Sequence, residues 1–263
     1  ILALNKSDGS FAWKSRVASE VLSQPQIDDD LVVVQSIDGK VAAYDAIDGS
    51  RKWVYTTNIP SLTLRGTATP IISDDVILVG FSSGRVTLLD RETGFPGLDQ
   101  RVGVAQGDSD LERLVDIDGA MVMENGRLYA VSFQGRIIGI DIAAGRILWS
   151  EEASSVSGVG TGFGNVYLAS SDSQISAYNA DNGREVWRVD ALLHRDITAP
   201  VAMGSYLAFT DFEGYLHLMA QSDGRFVGRR KIDGSGVRSG VVAEGGRLYA
   251  MANKGSLFVL GIR

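Results

Sequence analysis

The sequence predicts an all-β fold, a β-propeller of four-stranded blades, because one pattern recurs along the chain and short alternating strands fill each interval. The pattern is an apolar strand, an Asp or Asn, a glycine and, four residues later, a large side chain. Its six copies carry the glycines Gly9, Gly49, Gly94, Gly145, Gly183 and Gly224. The intervals of 38 to 51 residues between these glycines suit the four strands of a propeller blade.

The tryptophans recur at a fixed distance from the repeat glycines. All four stand four residues after a repeat glycine, at Trp13, Trp53, Trp149 and Trp187, whereas Leu98 and Gly228 hold that place in the other two copies. Glycine permits positive φ in a hairpin turn, and the turn sets where the indole falls on the outgoing strand. We therefore predict a structural role for the tryptophans, packed between neighbouring sheets.

Within each interval, two alternating runs around a Gly or Asp turn predict a hairpin, as in DVILVGFSSGRVTLLD. One segment departs from this pattern. Ser109 and Glu112 have capping-box spacing, and Leu111, Leu114 and Val115 share a helical face, which predicts one short helix.

The repeat count predicts a single β-propeller domain over residues 1–263, with six complete units plus a part, or about six and a half blades. Because an open propeller leaves an apolar sheet face and an unpaired edge in water, we expect the domain to be incomplete at its N-terminus.

Composition excludes several classes of function. The chain has 25 basic and 32 acidic residues, a net charge of −7, and no run of Lys or Arg, which is unlike a nucleic-acid-binding protein. Without cysteine there is no thiolate chemistry, and two histidines cannot form a His-rich metal site. No GxSxG elbow accompanies them, and the glycine cluster at 157–165 lacks GxGxxG spacing, so we predict no catalytic site and no cofactor.

The two longest intervals mark the candidate functional site. Their extra residues follow Trp53 and Leu98, and each joins the outermost strand of one blade to the innermost strand of the next, so both loops should emerge side by side. The first offers Leu62, Leu64 and Arg65; the second offers Asp116 and Asp118. Leucines around a guanidinium and paired carboxylates suit the docking of another protein's backbone or edge strand.

A purely structural role for these five residues is the alternative interpretation. Leu62 and Leu64 would then cap the core, and Arg65 would pair internally with an Asp. A third connection, ALLHRDITAP at 191–200, also departs from the template with His194, Arg195 and Asp196, and would extend the same face.

The AxDxxxGxxxW unit resembles the repeat of the quinoprotein propellers, many of which are dehydrogenases that hold pyrroloquinoline quinone (PQQ) and calcium. That resemblance implies the fold, and a PQQ-dependent quinoprotein dehydrogenase is the alternative function. The chain lacks the vicinal cysteine pair of many such enzymes.

A narrower resemblance comes from the interruptions. PSLTLRG (60–66), ERLVDIDG (112–119), ALLHRDITAP (191–200) and EGYLHLMAQSDGRFV (213–227) are similar to the BamB family, propeller lipoproteins of the outer-membrane β-barrel assembly (BAM) complex of Gram-negative bacteria. The resemblance implies eight blades, a non-catalytic scaffold and a lipid-anchored location on the periplasmic face of the outer membrane. It also implies BamA as the partner, through a periplasmic POTRA domain, and contact with unfolded outer-membrane protein precursors. The family's partner-binding positions fall on Leu62, Leu64, Arg65, Asp116 and Asp118.

Overall fold

The structure is a computed structural model that describes residues 1–262, and these residues form 25 β-strands joined by turns and loops. Within this range no helix is present that could cross a membrane. The chain divides into two compact units, Ile1–Asp118 and a second that begins at Gly119, and each is described by itself. Whether the whole chain forms one domain stays a prediction.

The first unit contains one two-stranded and two four-stranded antiparallel sheets. The two-stranded sheet consists of β1 (Leu2–Leu4) and β2 (Phe11–Lys14). The next consists of β3 (Gln26–Asp28), β4 (Leu31–Ser36), β5 (Lys40–Asp45) and β6 (Arg51–Thr56). The third consists of β7 (Ile71–Ile72), β8 (Val76–Gly80), β9 (Arg85–Asp90) and β10 (Pro96–Arg101).

The second unit contains three four-stranded sheets and one three-stranded sheet. The four-stranded sheets comprise β11 (Val122–Glu124), β12 (Arg127–Val131), β13 (Gly135–Asp141) and β14 (Arg146–Ala153); β15 (Gly158–Gly162), β16 (Asn165–Ala169), β17 (Ile175–Asn179) and β18 (Glu185–Val189); and β19 (Val201–Met203), β20 (Tyr206–Thr210), β21 (Tyr215–Ala220) and β22 (Phe226–Lys231). The last sheet comprises β23 (Val241–Glu244), β24 (Arg247–Met251) and β25 (Leu257–Gly261).

In every complete sheet the strands pair in chain order, from an inner first strand to an outer fourth, which is the blade pattern that the sequence predicts. Five described sheets are complete, not six. The difference arises because the sequence repeat is marked at the turn between the third and fourth strands, so the first copy contributes only β1 and β2. The prediction of an all-β propeller built from four-stranded blades is confirmed.

The sheet cores follow from the strand sequences. The second and third strands of each complete sheet are apolar on both faces, as in LVVVQS of β4 and KVAAYD of β5, and are almost wholly buried. The fourth strands are mostly exposed, as in RKWVYT of β6, where Trp53 alone is buried. A strand with two buried faces requires sheets on both sides, as stacked blades provide.

Each tryptophan forms a hydrogen bond from its own sheet to the hairpin between the third and fourth strands of the sheet that follows. The indole Nε1 of Trp53 donates to the carbonyl of Arg91 (2.9 Å), and that of Trp149 donates to the carbonyl of Ala180 (2.8 Å). Trp13 and Trp187 make the equivalent bonds to Ala46 and Gln221. We call each such bond, with the ring packing around it, an indole latch.

The repeat glycine has two functions in this arrangement. Gly183 adopts a φ of 72°, a conformation that favours glycine, and its missing side chain also leaves room for Trp149. A Cβ at Gly183 would lie 2.7 Å from the Trp149 ring. The fixed sequence spacing of glycine and tryptophan therefore reflects a contact between consecutive repeats as well as a turn.

The predicted short helix is absent. Ser109 and Glu112 do form the capping box, since the Glu112 carboxylate accepts from the Ser109 N–H (3.0 Å) and the Ser109 hydroxyl accepts from the Glu112 N–H (3.3 Å). The chain makes only a turn there: Leu111 is exposed, while Leu114 and Val115, which follow the turn, are buried. The helical spacing of these apolar residues was misleading.

A candidate protein-docking site on two connecting loops

The two loops singled out from the sequence lie side by side. Residues 57–70 join β6 to β7, and residues 102–121 follow β10, so each leaves the outer strand of a sheet. Their closest link is a hydrogen bond from the backbone N–H of Leu64 to Oδ1 of Asp116, 2.8 Å long. Because an amide donates here to a carboxylate, the bond is stronger than one between neutral groups and fixes the first loop at Leu64.

Asp116 can hold the first loop because its own segment is anchored. Val115 and Ile117 on either side are buried, and the Ile117 N–H donates to the carbonyl of Phe81 (3.3 Å). Ile117 also packs on Gly80, where a Cβ would lie 2.6 Å from its Cγ2. Asp116 itself is 1% exposed, so it supports the loop from below instead of facing solvent.

Asp118 supports the same loop two residues further on. The α-carbon of Gly66 lies against its carboxyl group, so that a Cβ at Gly66 would be 2.6 Å from the carboxyl carbon. Oδ1 of Asp118 is buried and has no hydrogen-bond partner among the described residues. The spacing of the two aspartates therefore matches Leu64 and Gly66, which are also two residues apart.

Burial governs the ionisation of both carboxyl groups. Burial raises the pKa of Asp116 above its usual value, against the opposing effect of the hydrogen bond from Leu64. Burial and, secondarily, the charge of Asp116 raise the pKa of Asp118 to about 7. The loop therefore rests on a carboxyl group that changes charge near neutral pH.

The upper side of the first loop is open to solvent. The side chain of Arg65 is 75% exposed and pairs with both carboxylate oxygens of Glu20 at 3.2 Å, and Leu62 is 40% exposed. Leu64 is half-buried. Leu62 is therefore exposed at the surface, and the ion pair of Arg65 is to an exposed glutamate and not to an internal aspartate. Whether these residues bind a partner stays a prediction.

Among the described residues, the Arg65 guanidinium is not ion-paired with either aspartate. Asp116 accepts from the backbone N–H of Leu64, and Asp118 packs against Gly66. The guanidinium pairs on the exposed side with Glu20, from the connection 15–25. That connection touches the loop again where the Ser23 N–H donates to Oγ1 of Thr67 (3.2 Å).

Two residues of the site, Gly66 and Glu20, were not identified from the sequence. Gly66 had a signal, because a glycine directly after the exposed Arg65 in an inserted loop indicates a close approach. Glu20 had none, since its pairing with Arg65 depends on how two loops 45 residues apart meet.

The third departure from the template, Arg195, lies in the second unit on the connection 190–200 between β18 and β19. There its guanidinium contacts the carboxylates of Asp211 and Glu213. Whether it extends the surface formed by Leu62 and Arg65 stays a prediction.

The residues present do not fit the calcium site of a quinoprotein dehydrogenase. Among residues 1–262, no group of three or more Asp, Glu or His side chains is arranged to hold a metal ion, and the chain contains no cysteine. Of the two aspartates of the site, Asp116 accepts from the Leu64 N–H and Asp118 packs against Gly66.

Four-stranded sheets with a repeated indole latch define the class of this chain as a β-propeller with PQQ-like repeats. Residues 1–189 and 171–262 match the sequence model of a family described as outer membrane protein assembly factor BamB. The chain belongs to this BamB family.

Individual relatives agree with that assignment. BamB of Pseudomonas aeruginosa is 42% identical over 207 residues, which cover 79% of this chain and 54% of the relative. BamB of Yersinia pestis is 36% identical over 258 residues, covering 98% of this chain and 66% of the relative. This chain thus spans from about half to two thirds of the length of these curated relatives. The crystal structure of BamB from Moraxella catarrhalis superposes with a TM-score of 0.94 at 31% identity, covering 99% of this chain and 78% of that one.

The packing of Gly66 on Asp118 gives a first testable prediction. Gly66→Ala places a methyl group within 2.6 to 2.9 Å of three atoms of the Asp118 side chain, which must move. We expect a loss of about 1–3 kcal/mol in the free energy of unfolding, measured by urea denaturation. The matched control is Gly97→Ala on β10, where a Cβ would meet Leu88 at an ordinary 3.4 Å. An equal loss in both variants would contradict the predicted clash.

The raised pKa of Asp118 gives a second prediction. Between about pH 4 and pH 7 the unfolded chain loses this proton while the folded protein keeps it, so stability falls as pH rises through that window and levels off above it. Asp118→Asn removes the titration. We expect the free energy of unfolding of the variant, relative to that of the parent, to rise by on the order of 2–4 kcal/mol from pH 4 to pH 8. Urea denaturation at both pH values measures this, with the exposed Asp74→Asn as control; a difference independent of pH would refute it.

Proposed function

We propose that this chain acts as a non-catalytic scaffold of the outer-membrane β-barrel assembly machinery. Its membership of a family named for outer membrane protein assembly supports this role. In the proposal, the scaffold works at the periplasmic face of the outer membrane, and a lipid anchor of the full-length protein holds it there. Unfolded barrel precursors are proposed as further ligands.

The proposed partner is BamA, which binds through a periplasmic POTRA domain to Leu62, Leu64 and Arg65. The observation that carries this assignment is the bond from the Leu64 amide to buried Asp116, which holds the loop while Arg65 remains 75% exposed. An exposed arginine beside leucines has the composition of an interface hot spot. A loop held in advance also loses less conformational entropy when a partner binds.

Asp116 and Asp118 belong to the proposed site as positioning residues. Because Asp116 is 1% exposed and Asp118 packs beneath Gly66, they act on a partner through the shape of the loop. Their replacement would therefore weaken binding by letting the loop move, and the surface residues would still be present.

The direct test is capture of this chain by the immobilised periplasmic region of BamA. The proposal expects saturable binding that a Leu62→Ser/Leu64→Ser variant loses, while Val186→Ser, an exposed apolar position on β18, leaves it intact. The assignment would be overturned if the parent chain did not bind, or if Val186→Ser lost binding while Leu62→Ser/Leu64→Ser kept it.

A further inference from the structure

The second unit carries a cluster of cations around one aromatic ring, which the role proposed above does not use. The Tyr215 ring lies 4.5 Å from Nζ of Lys231, 5.5 Å from Cζ of Arg229 and 5.8 Å from Cζ of Arg195. All three distances are within the range of cation–π attraction. We call the five residues that form this cluster the Tyr215 patch: Arg195, Phe212, Tyr215, Arg229 and Lys231.

Three elements converge to build the patch. Tyr215 begins β21, and the antiparallel register places it opposite Lys231, while His217 is opposite Arg229. Arg229 and Lys231 are alternate residues of the outer strand β22, so their side chains lie on the same face of the sheet. Arg195 comes from the connection 190–200, so the convergence does not arise from strand periodicity alone.

Arg195 is held rigidly in this position. Its Nε donates to Oδ2 of Asp211 (2.8 Å), and Asp211 is fully buried. The ring of His217, also buried, lies 2.8 Å from the same oxygen. On either side of Arg195, His194 and Asp196 adopt positive φ values of 63° and 48°. Non-glycine residues in this conformation cost energy and persist where the surrounding structure fixes them, often at binding sites.

The patch already contains one exposed carboxylate. Oε2 of Glu213, in the turn between β20 and β21, lies 2.8 Å from Nη2 of Arg195, and the Glu213 side chain is 45% exposed. Within residues 1–262, neither Arg229 nor Lys231 lies within ion-pair distance of a carboxylate. Their contacts are the Tyr215 ring and, for Lys231, the Glu213 carbonyl. Beside them, Phe212 is 43% exposed and stacks on Arg195 at 5.8 Å.

We propose that the Tyr215 patch binds an extended acidic segment of another polypeptide. Carboxylates of that segment would pair with Arg229 and Lys231 and displace Glu213 from Arg195, and an apolar side chain would cover Phe212. Charge complementarity carries the choice of partner, because three cations meet here on a chain whose net charge is −7. The outer strand β22, FVGRRK, has three basic residues and no acidic one, whereas β14, RILWSEEA, has two glutamates.

The test uses a fluorescent peptide of alternating Glu and Phe, a matched peptide with Gln in place of Glu, and phosphatidylglycerol vesicles. We expect saturable binding of the Glu peptide by anisotropy and at least ~tenfold weaker binding of the Gln peptide. The net negative charge of the chain disfavours non-specific attraction of the Glu peptide, so saturation indicates a local site. No binding of the Glu peptide, or binding of vesicles alone, would overturn the proposal.

Two variants locate the peptide on the patch. Arg229→Glu/Lys231→Glu should weaken binding of the Glu peptide at least ~tenfold, and Phe212→Ser should weaken it by ~threefold or more. Arg225→Glu, an exposed arginine in the turn before β22, is the matched control and should have no effect. Arg65→Glu should also leave peptide binding unchanged, which separates this inference from the BamA proposal. Equal affinities for the parent and the patch variants, with melts that show all of them folded, would refute the site.

Discussion

Arg65→Glu is expected to abolish capture of BamA while the thermal midpoint of the chain changes by no more than about 2 °C. The side chain is 75% exposed and its ion pair with Glu20 joins two exposed groups, so the fold gains little from it. In the proposed complex the same guanidinium becomes desolvated beside Leu62 and Leu64. Reversing its charge there should raise the dissociation constant at least ~100-fold, measured by surface plasmon resonance against the periplasmic region of BamA.

Two companion variants make the Arg65 result specific. Arg184→Glu changes the charge equally at an exposed hairpin turn and should leave capture intact. Glu20→Ala removes the ion pair but keeps the guanidinium, and should change the dissociation constant by less than about threefold. Full capture by Arg65→Glu would end the assignment of this loop as the docking site.

Trp149→Ala is expected to cost about 3–5 kcal/mol of the free energy of unfolding, the largest stability effect that we predict. The indole is buried, stacks on Tyr129 at a centroid distance of 5.9 Å, and donates to the Ala180 carbonyl at 2.8 Å. Truncation leaves a cavity against Gly183 and removes the shorter of the two hydrogen bonds that the Ala180 carbonyl accepts, the other coming from the Tyr129 hydroxyl at 3.3 Å. Urea denaturation monitored by circular dichroism measures the loss.

Partial replacements separate the contributions to this latch. Trp149→Phe keeps a ring but removes the N–H donor, and should cost about 1–3 kcal/mol, less than the alanine variant. Phe163→Ala removes an aromatic ring that is exposed on a turn of the same unit and should change stability by less than about 0.5 kcal/mol. If Trp149→Ala were as mild as Phe163→Ala, the latch would not hold the sheets.

The fold was predictable because the same sequence pattern recurs in six copies. Gly183 and Trp149 belong to different copies, yet all six copies have the glycine and four of them have the tryptophan in the same phase, so their contact is encoded as a period. The helix at 109–115 occurs once, without a second copy to test it. Its local capping signal was real, but the capping residues close only a turn, and Leu111 does not share a buried face with Leu114 and Val115.

The geometry of the candidate docking site was predictable in part. Interrupted repeats identified both loops, and their contact through Leu64 and Asp116 follows from the shared place of the two insertions in consecutive repeats. The roles within the site were not predictable, because exposed and buried aspartates look the same in a sequence. Only the three-dimensional arrangement shows that Asp116 lies beneath the loop and that Arg65 faces Glu20.

The placement of each indole latch has a consequence for how such proteins diversify. Trp53 is the third residue of β6, whereas the long loop starts after the last residue of that strand, Thr56. The tryptophan that packs between sheets therefore lies within the strand, and the proposed docking loop begins beyond its end. Mutations that change the length or the charge of the loop leave the tryptophan contact unchanged. The surface of such a protein can therefore diverge during evolution while its fold is retained.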